Sequence, residues 1–305
     1  MIYTLTLNPC LDYNISVDEI AIGDMNRISE AEIYAGGKGI NVAIVLARLG
    51  IPVTALGFLG GRNGASILAQ VQHEGVITDF VPINEENRTN IKIRDKNGRT
   101  TEINSRGPKI HNRELSEIQR KLDQIEDDDF LVISGSVPED VPVTIYRDLA
   151  RYLQQKNVHV IIDASGELLR YGLEAKPFLI KPNREELATL FDIKHPEELD
   201  EKTIEKYLLS LIDHGVEQVI VSLGKDGAAF MDQSRKLFIV KAPTVNVVSA
   251  VGSGDSLIAG FLAEYITSND ALNSLKLGVA SGTATSTQKW LANKADIEKI
   301  RQIID

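Results

Sequence analysis

Short runs of apolar residues alternate with segments of helical periodicity along most of this chain. The apolar runs have the length and the valine and isoleucine content of buried strands. This alternation predicts an α/β fold, with a mostly parallel central sheet flanked by helices on both faces. The predicted strands are residues 2–7, 53–58, 130–134, 158–163, 178–181 and 218–223. The predicted helices are residues 40–49, 63–73, 113–125, 143–155, 185–190 and 203–213.

The last third of the chain has a different pattern. After the strand at residues 218–223, a hairpin is predicted for residues 228–231 and 237–240. Helices are predicted from there to the end of the chain.

Two further pairs of segments alternate polar and apolar residues and have no helix between their members. They are residues 13–17 with 28–34 and residues 90–94 with 100–104, and Asp95-Lys96-Asn97-Gly98 is a good turn for the second pair. Strands joined in this way do not easily enter a parallel sheet. We therefore expect a single α/β domain over residues 1–305 with a small β-sheet lid, formed by about residues 12–35 and 87–105.

Composition and charge narrow the classes of function. The 305 residues carry a formal net charge of −10, which leaves no basic surplus for a nucleic-acid backbone. No apolar run approaches the roughly 20 residues of a membrane helix, and the chain begins with a strand pattern rather than a signal peptide. The single cysteine, Cys10, excludes an intrachain disulfide and suits a reducing compartment. We expect a soluble cytoplasmic protein that binds neither nucleic acid nor membrane.

A glycine-rich segment, Gly36-Gly37-Lys38-Gly39-Ile40-Asn41, opens the first predicted helix. Glycines let the backbone approach a ligand, the amino end of a helix favours an anion, and a lysine adds positive charge. A tight turn would also account for one or two of the glycines. The lysine among them favours a site for a phosphate or a sugar phosphate. The spacing is neither that of a nucleotide P-loop nor that of a dinucleotide fingerprint.

A second glycine-rich segment, Val251-Gly252-Ser253-Gly254-Asp255-Ser256, leads into an amphipathic helix. Its backbone amides and the helix end suit phosphate, or the oxyanion that develops as a phosphoryl group moves. A carboxylate is a poor phosphate ligand, so we interpret Asp255 as a base that faces a substrate hydroxyl. The alternative is that Asp255 only caps the helix.

Two more segments follow predicted strands, where ligands bind in open α/β sheets. In Lys181-Pro182-Asn183-Arg184-Glu185-Glu186, Asn183 and Glu186 have the spacing of a helix-capping pair, and their oxygens would equally suit Mg²⁺ held through water. In Ser222-Leu223-Gly224-Lys225-Asp226-Gly227, a plain hairpin turn accounts for the glycines. For the segment 181–186 the residues alone leave both the capping and the Mg²⁺ interpretation open, and for the segment 222–227 they favour the plain turn.

Several polar residues lie in or beside the predicted lid. Asp12 follows the first predicted strand, and Arg27, Arg88 and Lys92 are cations in a protein of net negative charge. Lid charges are usually solvated, but these belong to elements that would close over Lys38. Cys10 adjoins the same loop and is interpreted as a small packed residue.

Taken together, these residues resemble the ribokinase/PfkB family of carbohydrate kinases over essentially the whole chain. Segments 36–41 and 251–256 correspond to the two signatures of that family, in the same order. The resemblance implies a ribokinase-like fold, a β lid that often forms a dimer interface, and ATP-dependent phosphorylation of a sugar hydroxyl. It implies that Asp255 is the general base and that Gly252, Ser253 and Gly254 form the anion hole, although many members carry alanine in place of Ser253. The implied ATP site comprises Lys181, Asn183, Ser222, Gly224, Gly227, Gly252 and Gly254, with Mg²⁺ near Asn183 and Glu186.

Within the family, the chain resembles the bacterial phosphosugar kinases. Thr6-Leu7-Asn8-Pro9, Asp12 and Lys38 fit that branch, and the lid segments 88–93 and 101–104 resemble the kinases that convert fructose 1-phosphate to fructose 1,6-bisphosphate. The resemblance implies a homodimer formed through the lid, in which Arg27 reaches the partner's site. The implied phosphosugar ligands are Asp12, Arg27, Gly37, Lys38, Asn41, Arg88, Lys92 and Asp255.

Other functions remain open on the residues alone. Tagatose-6-phosphate kinases and 6-phosphofructokinases of the same family share the acceptor loop. A noncatalytic sugar-phosphate sensor is disfavoured because Asp255 and its glycines are intact. A nucleotide-dependent oxidoreductase is disfavoured because the dinucleotide fingerprint is incomplete.

Overall fold

The computed structural model describes the backbone of residues 1–305 and every side chain except that of Glu198. The strands are β1 (Ile2–Thr6), β2 (Cys10–Val17), β3 (Glu30–Gly36), β4 (Val53–Gly60), β5 (Ile77–Thr78), β6 (Val81–Ile83), β7 (Arg88–Asp95), β8 (Thr100–Asn104), β9 (Phe130–Ser134), β10 (His159–Asp163), β11 (Leu179–Ile180), β12 (Gln218–Ser222), β13 (Ala228–Asp232) and β14 (Phe238–Val240). The helices are α1 (Lys38–Arg48), α2 (Gly61–His73), α3 (Asn112–Leu122), α4 (Ile145–Gln154), α5 (Gly166–Leu173), α6 (Arg184–Leu190), α7 (Glu201–Asp213), α8 (Ser253–Ser268), α9 (Ala271–Ser286) and α10 (Lys294–Ile304). Among these described helices, none has the length and apolar character needed to cross a membrane.

The main sheet is parallel over its centre. Its order is β14-β13-β12-β11-β10-β9-β1-β4-β5, and β6 pairs with β4. The pairs from β12 through β5 are parallel, whereas the hairpin strands β13 and β14 add in antiparallel orientation. The carboxyl ends of the central strands therefore meet at one edge, as the alternating pattern predicts.

Helices cover both faces of this sheet. Apolar residues of α1, α2, α8, α9 and α10 pack on one face, and those of α3 through α7 pack on the other. Successive residues of a strand point to opposite faces, so Ile161 of β10 belongs to the first core and Ile162 to the second. These two cores hold the carboxyl ends of the strands in a fixed arrangement.

The predicted small sheet is present and separate from the main one. Its order is β3-β2-β7-β8, with β2–β3 and β7–β8 antiparallel. The two pairs join through β2 and β7, which run parallel to one another. This junction differs from the expectation that such strands avoid parallel pairing: the long chain between β2 and β7, which includes α1 and α2, provides the crossover.

Several local features differ from the predictions, among them the short strands β5 and β6, which were not predicted. Asp12 does not follow the first strand directly, because β1 ends at Thr6 and Asp12 lies within β2 of the small sheet. Helix α5 was not predicted. It spans only eight residues and includes two glycines, Gly166 and Gly172, which weaken the helical pattern.

Candidate active site

A cavity of about 1240 Å³ opens at the carboxyl ends of the parallel strands and is bordered by the small sheet. Ligands of open α/β sheets bind at this edge. The volume exceeds the roughly 300–1,000 Å³ of most single-ligand pockets, so two substrates can lie in it together. The predicted site residues that line it are Asp12, Gly37, Lys38, Asn41, Arg88, Lys92, Lys181, Asn183, Glu186, Ser222, Gly224, Gly227, Gly252, Ser253, Gly254 and Asp255.

Arg27 is the exception among the predicted residues. It is exposed in the connection between β2 and β3, and among the described residues the cavity lining does not include it. Within a single chain Arg27 is therefore not part of the site. Its predicted role depends on a partner subunit.

The loop before α8 has the conformation of an anion site. Gly252 has φ 77°, and a Cβ there would lie 2.7 Å from Leu291 Cδ2, so a side chain would be both strained and crowded. The loop turns directly into α8, which begins at Ser253 and points its amino end at the cavity edge. A Cβ on Gly254 would lie 3.1 Å from Lys181 Nζ, which places a lysine cation against the same loop.

Asp255 is buried at the start of α8, where its Oδ2 accepts a 2.8 Å hydrogen bond from Asn41 Nδ2 of α1. Its carboxylate therefore contacts α1. The structure does not give Asp255 the alternative role of a helix cap, because Gly252 holds the N-cap position of α8. Burial and the negative charge of Asp163 together raise the pKa of Asp255 to about 6. Lys38, Asn41 and Lys181 act in the opposite direction.

The segment 36–41 packs tightly against the carboxyl end of β1. Gly37 has φ 122°, and a Cβ on Gly39 would lie 2.5 Å from Thr6 Oγ1. The turn interpretation thus explains Gly37, while close packing explains Gly39. Lys38 begins α1 and donates to Asp163 Oδ1 at 3.1 Å. Burial lowers the pKa of Lys38, but the negative charges of Asp163, Asp255 and Glu186 raise it by more, so the ammonium group stays protonated.

At the end of the cavity that borders the small sheet, side chains of β2 and β7 form a cluster connected by hydrogen bonds. Asp12 accepts from Lys92 Nζ at 2.9 Å and from Asn90 Nδ2 at 3.1 Å. Arg88 donates to the backbone oxygen of Asn8 at 3.1 Å and to Asn90 Oδ1 at 3.3 Å. The cluster holds two cations and one carboxylate in defined positions and suits a ligand that carries both phosphate and hydroxyl groups.

Cys10 lies beneath this cluster. Its thiol donates to Asp12 Oδ1 at 3.4 Å, and burial raises its pKa to about 12, with the negative charge of Asp12 adding to the effect. A thiol held neutral is a poor nucleophile, in agreement with the interpretation of Cys10 as a packed residue.

The remaining segments form the opposite end of the cavity. Asn183 and Glu186 make the reciprocal capping box of α6: Asn183 Oδ1 accepts from Glu186 N at 2.7 Å, and Glu186 Oε2 accepts from Asn183 N at 2.8 Å. Ser222 ends β12, and Gly227 has φ 96° with a Cβ position only 1.9 Å from Val240 O. The capping and hairpin-turn interpretations therefore describe the local structure of both segments, which also line the cavity.

Metal-binding groups are sparse in this cavity. Over the described part of the chain, no three His, Cys, Asp or Glu side chains form a group that could hold a metal ion by themselves. Glu186 still has its second carboxylate oxygen, Oε1, besides the capping Oε2. Mg²⁺ commonly binds through one or two carboxylates together with the phosphates of its substrate, and this donor set fits that mode.

Comparison with known proteins identifies the relatives of this arrangement. The model of the family described as pfkB family carbohydrate kinase matches residues 5–297. This chain belongs to the pfkB family. The fold, the two glycine-rich segments and the cavity between two sheets are therefore those of a carbohydrate kinase.

Individual members of the pfkB family resemble the chain over almost its full length. A 1-phosphofructokinase of Borreliella burgdorferi is 41% identical and covers 98% of this chain and 96% of its own length. A D-tagatose-1-phosphate kinase of Bacillus licheniformis is 35% identical, with coverage of 99% and 97%. Among solved structures, phosphofructokinase-2 from Escherichia coli in complex with substrates and products superposes with a TM-score of 0.93 at 29% identity, with 99% of both chains covered.

Sequence reasoning missed Asn90, which lines this kinase cavity, and Asp163, which pairs with two lysines of the cavity without being part of its lining. Asp163, at the end of β10, is fully buried and pairs with Lys38 and with Lys181 at 3.4 Å. Asn90 of β7 links Asp12 to Arg88. Asp163 stands at the end of a predicted strand, which is a signal for a site residue in an open α/β sheet. Asn90 lies in a strand segment where only the tertiary pairing of β2 with β7 reveals its contacts.

Proposed function

We propose that this chain transfers the γ-phosphoryl group of ATP to the C6 hydroxyl of fructose 1-phosphate and releases fructose 1,6-bisphosphate and ADP. The observation that carries the proposal is the position of Asp255. A buried carboxylate with a raised pKa lies where a cation-rich end of the cavity meets an anion loop at a helix terminus. The similarity to a 1-phosphofructokinase supports fructose 1-phosphate as the acceptor.

The phosphosugar occupies the end of the cavity formed by the small sheet and α1. Its phosphate group meets Lys38 and Arg88, with Lys92 assisting, and its hydroxyls meet Asp12 and Asn41, while Gly37 contributes its backbone. These cations already have partners, yet a lysine has three donors and an arginine five, so each can keep its present hydrogen bond and still donate to a phosphate. Their present contacts hold them in place before the ligand arrives.

The nucleotide occupies the other end. Lys181 and the backbone of Gly252, Ser253 and Gly254 face its transferred phosphate, and the stretch from Ser222 to Gly227 lies along the rest of the molecule, with Asn183 at its side. Glu186 would hold Mg²⁺ through Oε1, and Asn183 would support it through water. When bound, the ion neutralises charge on the phosphates.

Asp255 acts on the acceptor. The C6 oxygen attacks the γ-phosphorus, its bond to phosphorus forms as the bond to the ADP oxygen breaks, and the hydroxyl proton passes to Asp255. Because the transition state of phosphoryl transfer is loose, the proton leaves late and a carboxylate is a sufficient base. The amides of the anion loop and Lys181 stabilise charge on the transferred oxygens.

The small sheet serves as the lid of this site. It carries Asp12, Arg88 and Lys92 and borders the cavity mouth, so its approach to α8 would exclude water from the phosphoryl group. We expect ADP release to depend on the sugar, since transfer to water is then slow.

The test of the proposal is an ADP-release panel with ATP and Mg²⁺. It compares fructose 1-phosphate, D-tagatose 1-phosphate, fructose 6-phosphate, tagatose 6-phosphate, fructose and no sugar. We expect the highest kcat/KM with fructose 1-phosphate and negligible release without sugar. A preference for a 6-phosphate would contradict the proposed substrate, and no ADP release with any sugar would favour a sensor.

A second candidate acceptor is D-tagatose 1-phosphate. It differs from fructose 1-phosphate only at C4, and a relative 35% identical to this chain is a D-tagatose-1-phosphate kinase. Both sugars present a C1 phosphate and a C6 hydroxyl to the same residues. The ratio of their kcat/KM values in the panel decides between them.

A further inference from the structure

Asp163 joins the two ends of the cavity through a single carboxylate oxygen. Its Oδ1 lies 3.1 Å from Lys38 Nζ and 3.4 Å from Lys181 Nζ. Lys38 begins α1 at the phosphosugar end, whereas Lys181 follows β11 at the nucleotide end, against the anion loop. Asp163 itself is fully buried at the end of β10.

The burial of this carboxylate makes its partners obligatory. A charge in the interior is costly unless it is paired and hydrogen-bonded, and Asp163 is paired with two lysines, of which Lys181 has a side chain only 5% exposed. Lys38 donates one hydrogen bond to Asp163, and Lys181 approaches it as an ion pair, so both lysines retain donors for a phosphate oxygen. The carboxylate can therefore hold both ammonium groups in position while they remain able to bind an anion.

We propose that Asp163 is a positioning residue for phosphoryl transfer, which holds Lys38 toward the phosphosugar and Lys181 toward the transferred phosphate of the nucleotide. The inference rests on the proposed kinase function. Asp163 does not touch the reacting atoms in this role. It fixes the two ammonium groups relative to the anion loop and to Asp255, so that their charges need no reorganisation when the phosphoryl group passes.

The Asp163 carboxylate should also affect the pH dependence of activity. The charged groups that face Asp255 are Asp163 from β10, Lys38 from α1 and Lys181 after β11, and Asn41 adds a hydrogen bond. Asp163 raises the pKa of Asp255, and the lysines lower it. Loss of the Asp163 charge should therefore shift the acidic limb of activity to lower pH, an effect that a purely structural residue would not produce.

The experiment compares wild type with Asp163→Asn in steady-state kinetics and in the pH dependence of kcat/KM. We expect wild type to phosphorylate fructose 1-phosphate with an acidic limb near pH 6. We expect Asp163→Asn to lose kcat by about 10²-fold, since small misplacements of positioning groups have effects of this size, with smaller changes in the two KM values and a limb at lower pH. Asp163→Glu keeps the charge, so we do not expect its limb to move to lower pH.

The matched control is Ser134→Ala. Ser134 is the β9 neighbour of Asp163 in the sheet and is equally buried, but it carries no charge. We expect its acidic limb to coincide with that of wild type. If Asp163→Asn does not fold, Asp163→Glu decides, because its longer side chain displaces both lysines. We then expect a reduced kcat and, since the lysines lower the pKa of Asp255, an acidic limb at higher pH.

The outcomes separate this inference from the proposed function. Inactive wild type with fructose 1-phosphate would contradict the proposed function itself. If wild type is active and Asp163→Asn keeps a near-normal kcat, the positioning role is overturned. If Asp163→Asn is unfolded, a near-normal kcat in Asp163→Glu overturns it instead. A reduced kcat with an unshifted limb, in Asp163→Asn or in Asp163→Glu where that variant decides, would also overturn it, since the residue would then act only through stability.

Discussion

Charges of both signs surround the carboxylate of Asp255, and their balance sets its pKa. Burial and Asp163 raise the pKa to about 6, against the opposing effects of Lys38, Asn41 and Lys181. The group is thus ionised at neutral pH but more basic than an ordinary aspartate. A general base works best when its pKa lies near the working pH. The environment of Asp255 moves the pKa in that direction.

Replacement of Asp255 by asparagine removes the charge and keeps a side-chain oxygen for the hydrogen bond from Asn41. Because the base is lost, we expect kcat for phosphorylation to fall by about 10²–10⁴-fold. ADP release measures this loss, and ATP binding measured by calorimetry should remain. Near-normal turnover with intact ATP binding would contradict the role of Asp255 as the base.

The same variant should be more stable than wild type at pH 8. The pKa of Asp255 is about 6 in the folded state and lies near its ordinary value of 3.8 in the unfolded state. Between these values the folded chain binds the extra proton, so stability falls as pH rises through that window. The unfavourable contribution is complete above about pH 6 and disappears toward pH 4. Thermal unfolding of both proteins at pH 8 and pH 4 tests the difference, and equal stabilities at pH 8 would contradict the raised pKa.

Sequence reasoning succeeded best where local chemistry is itself unusual. A carboxylate in a glycine-rich anion loop, or a lysine among three glycines, is improbable as plain structure, so Asp255 and Lys38 were identified and line the cavity. The local chemistry of Asp163 is not unusual, and its one signal is its position at the end of an apolar strand. Its importance comes from two lysines 125 and 18 residues away along the chain, and only the folded chain brings them together.

At the scale of elements, the close approach of α8 and α9 supports the anion loop. A Cβ on Gly282 of α9 would lie 2.8 Å from the backbone oxygen of Ser253, the first residue of α8. A Cβ on Gly278, one turn earlier in α9, would lie equally close, at 2.8 Å, to the backbone oxygen of Leu257. The first contact touches the loop and the second does not.

We expect Gly282→Ala to reduce kcat more than Gly278→Ala does. Both added methyl groups push on backbone, which typically destabilises by about 1–3 kcal/mol, offset by up to about 1 kcal/mol of helix propensity. Only Gly282→Ala displaces Ser253 and the amides beside it. Thermal unfolding establishes that the two variants are comparably stable, and ADP release then compares their turnover. Equal kcat values at equal stability would contradict the supporting role of α9.

Most elements could be predicted because their patterns are local. The predicted strand at 130–134 matches β9 in full, and the predicted helix at 203–213 differs from α7 only at its start. The parallel pairing of β2 with β7 could not be predicted in this way. Its register depends on residues more than 70 positions apart, and an apolar–polar alternation specifies which face is buried but not which strand lies beside it.

At the scale of the whole molecule, the small sheet has two faces of opposite character. One face carries Asp12, Asn90 and Lys92 to the cavity. Across the other face, strand register aligns a row of large side chains, namely Ile33, Tyr13, Ile91 and Ile103. Ile33 is 43% exposed and Ile103 is 56% exposed. Isoleucines aligned on a solvent-facing sheet favour association, so we propose that two copies of this chain pair through this face.

We expect Ile103→Lys to convert a wild-type dimer to monomers, because it places a charge within the apolar row on each copy. Ile303→Lys is the matched control, since Ile303 is a similarly exposed isoleucine, at 61%, on the distant helix α10. Sedimentation equilibrium over a range of concentrations measures the assembly. If Arg27 of one subunit reaches the site of its partner, Ile103→Lys and Arg27→Ala should raise the KM for fructose 1-phosphate alike, while Ile303→Lys should not. A wild-type protein that stays monomeric, or an Ile103→Lys protein that stays dimeric, would contradict pairing through the small sheet. If wild type is a dimer but Arg27→Ala keeps the wild-type KM, this surface serves assembly alone.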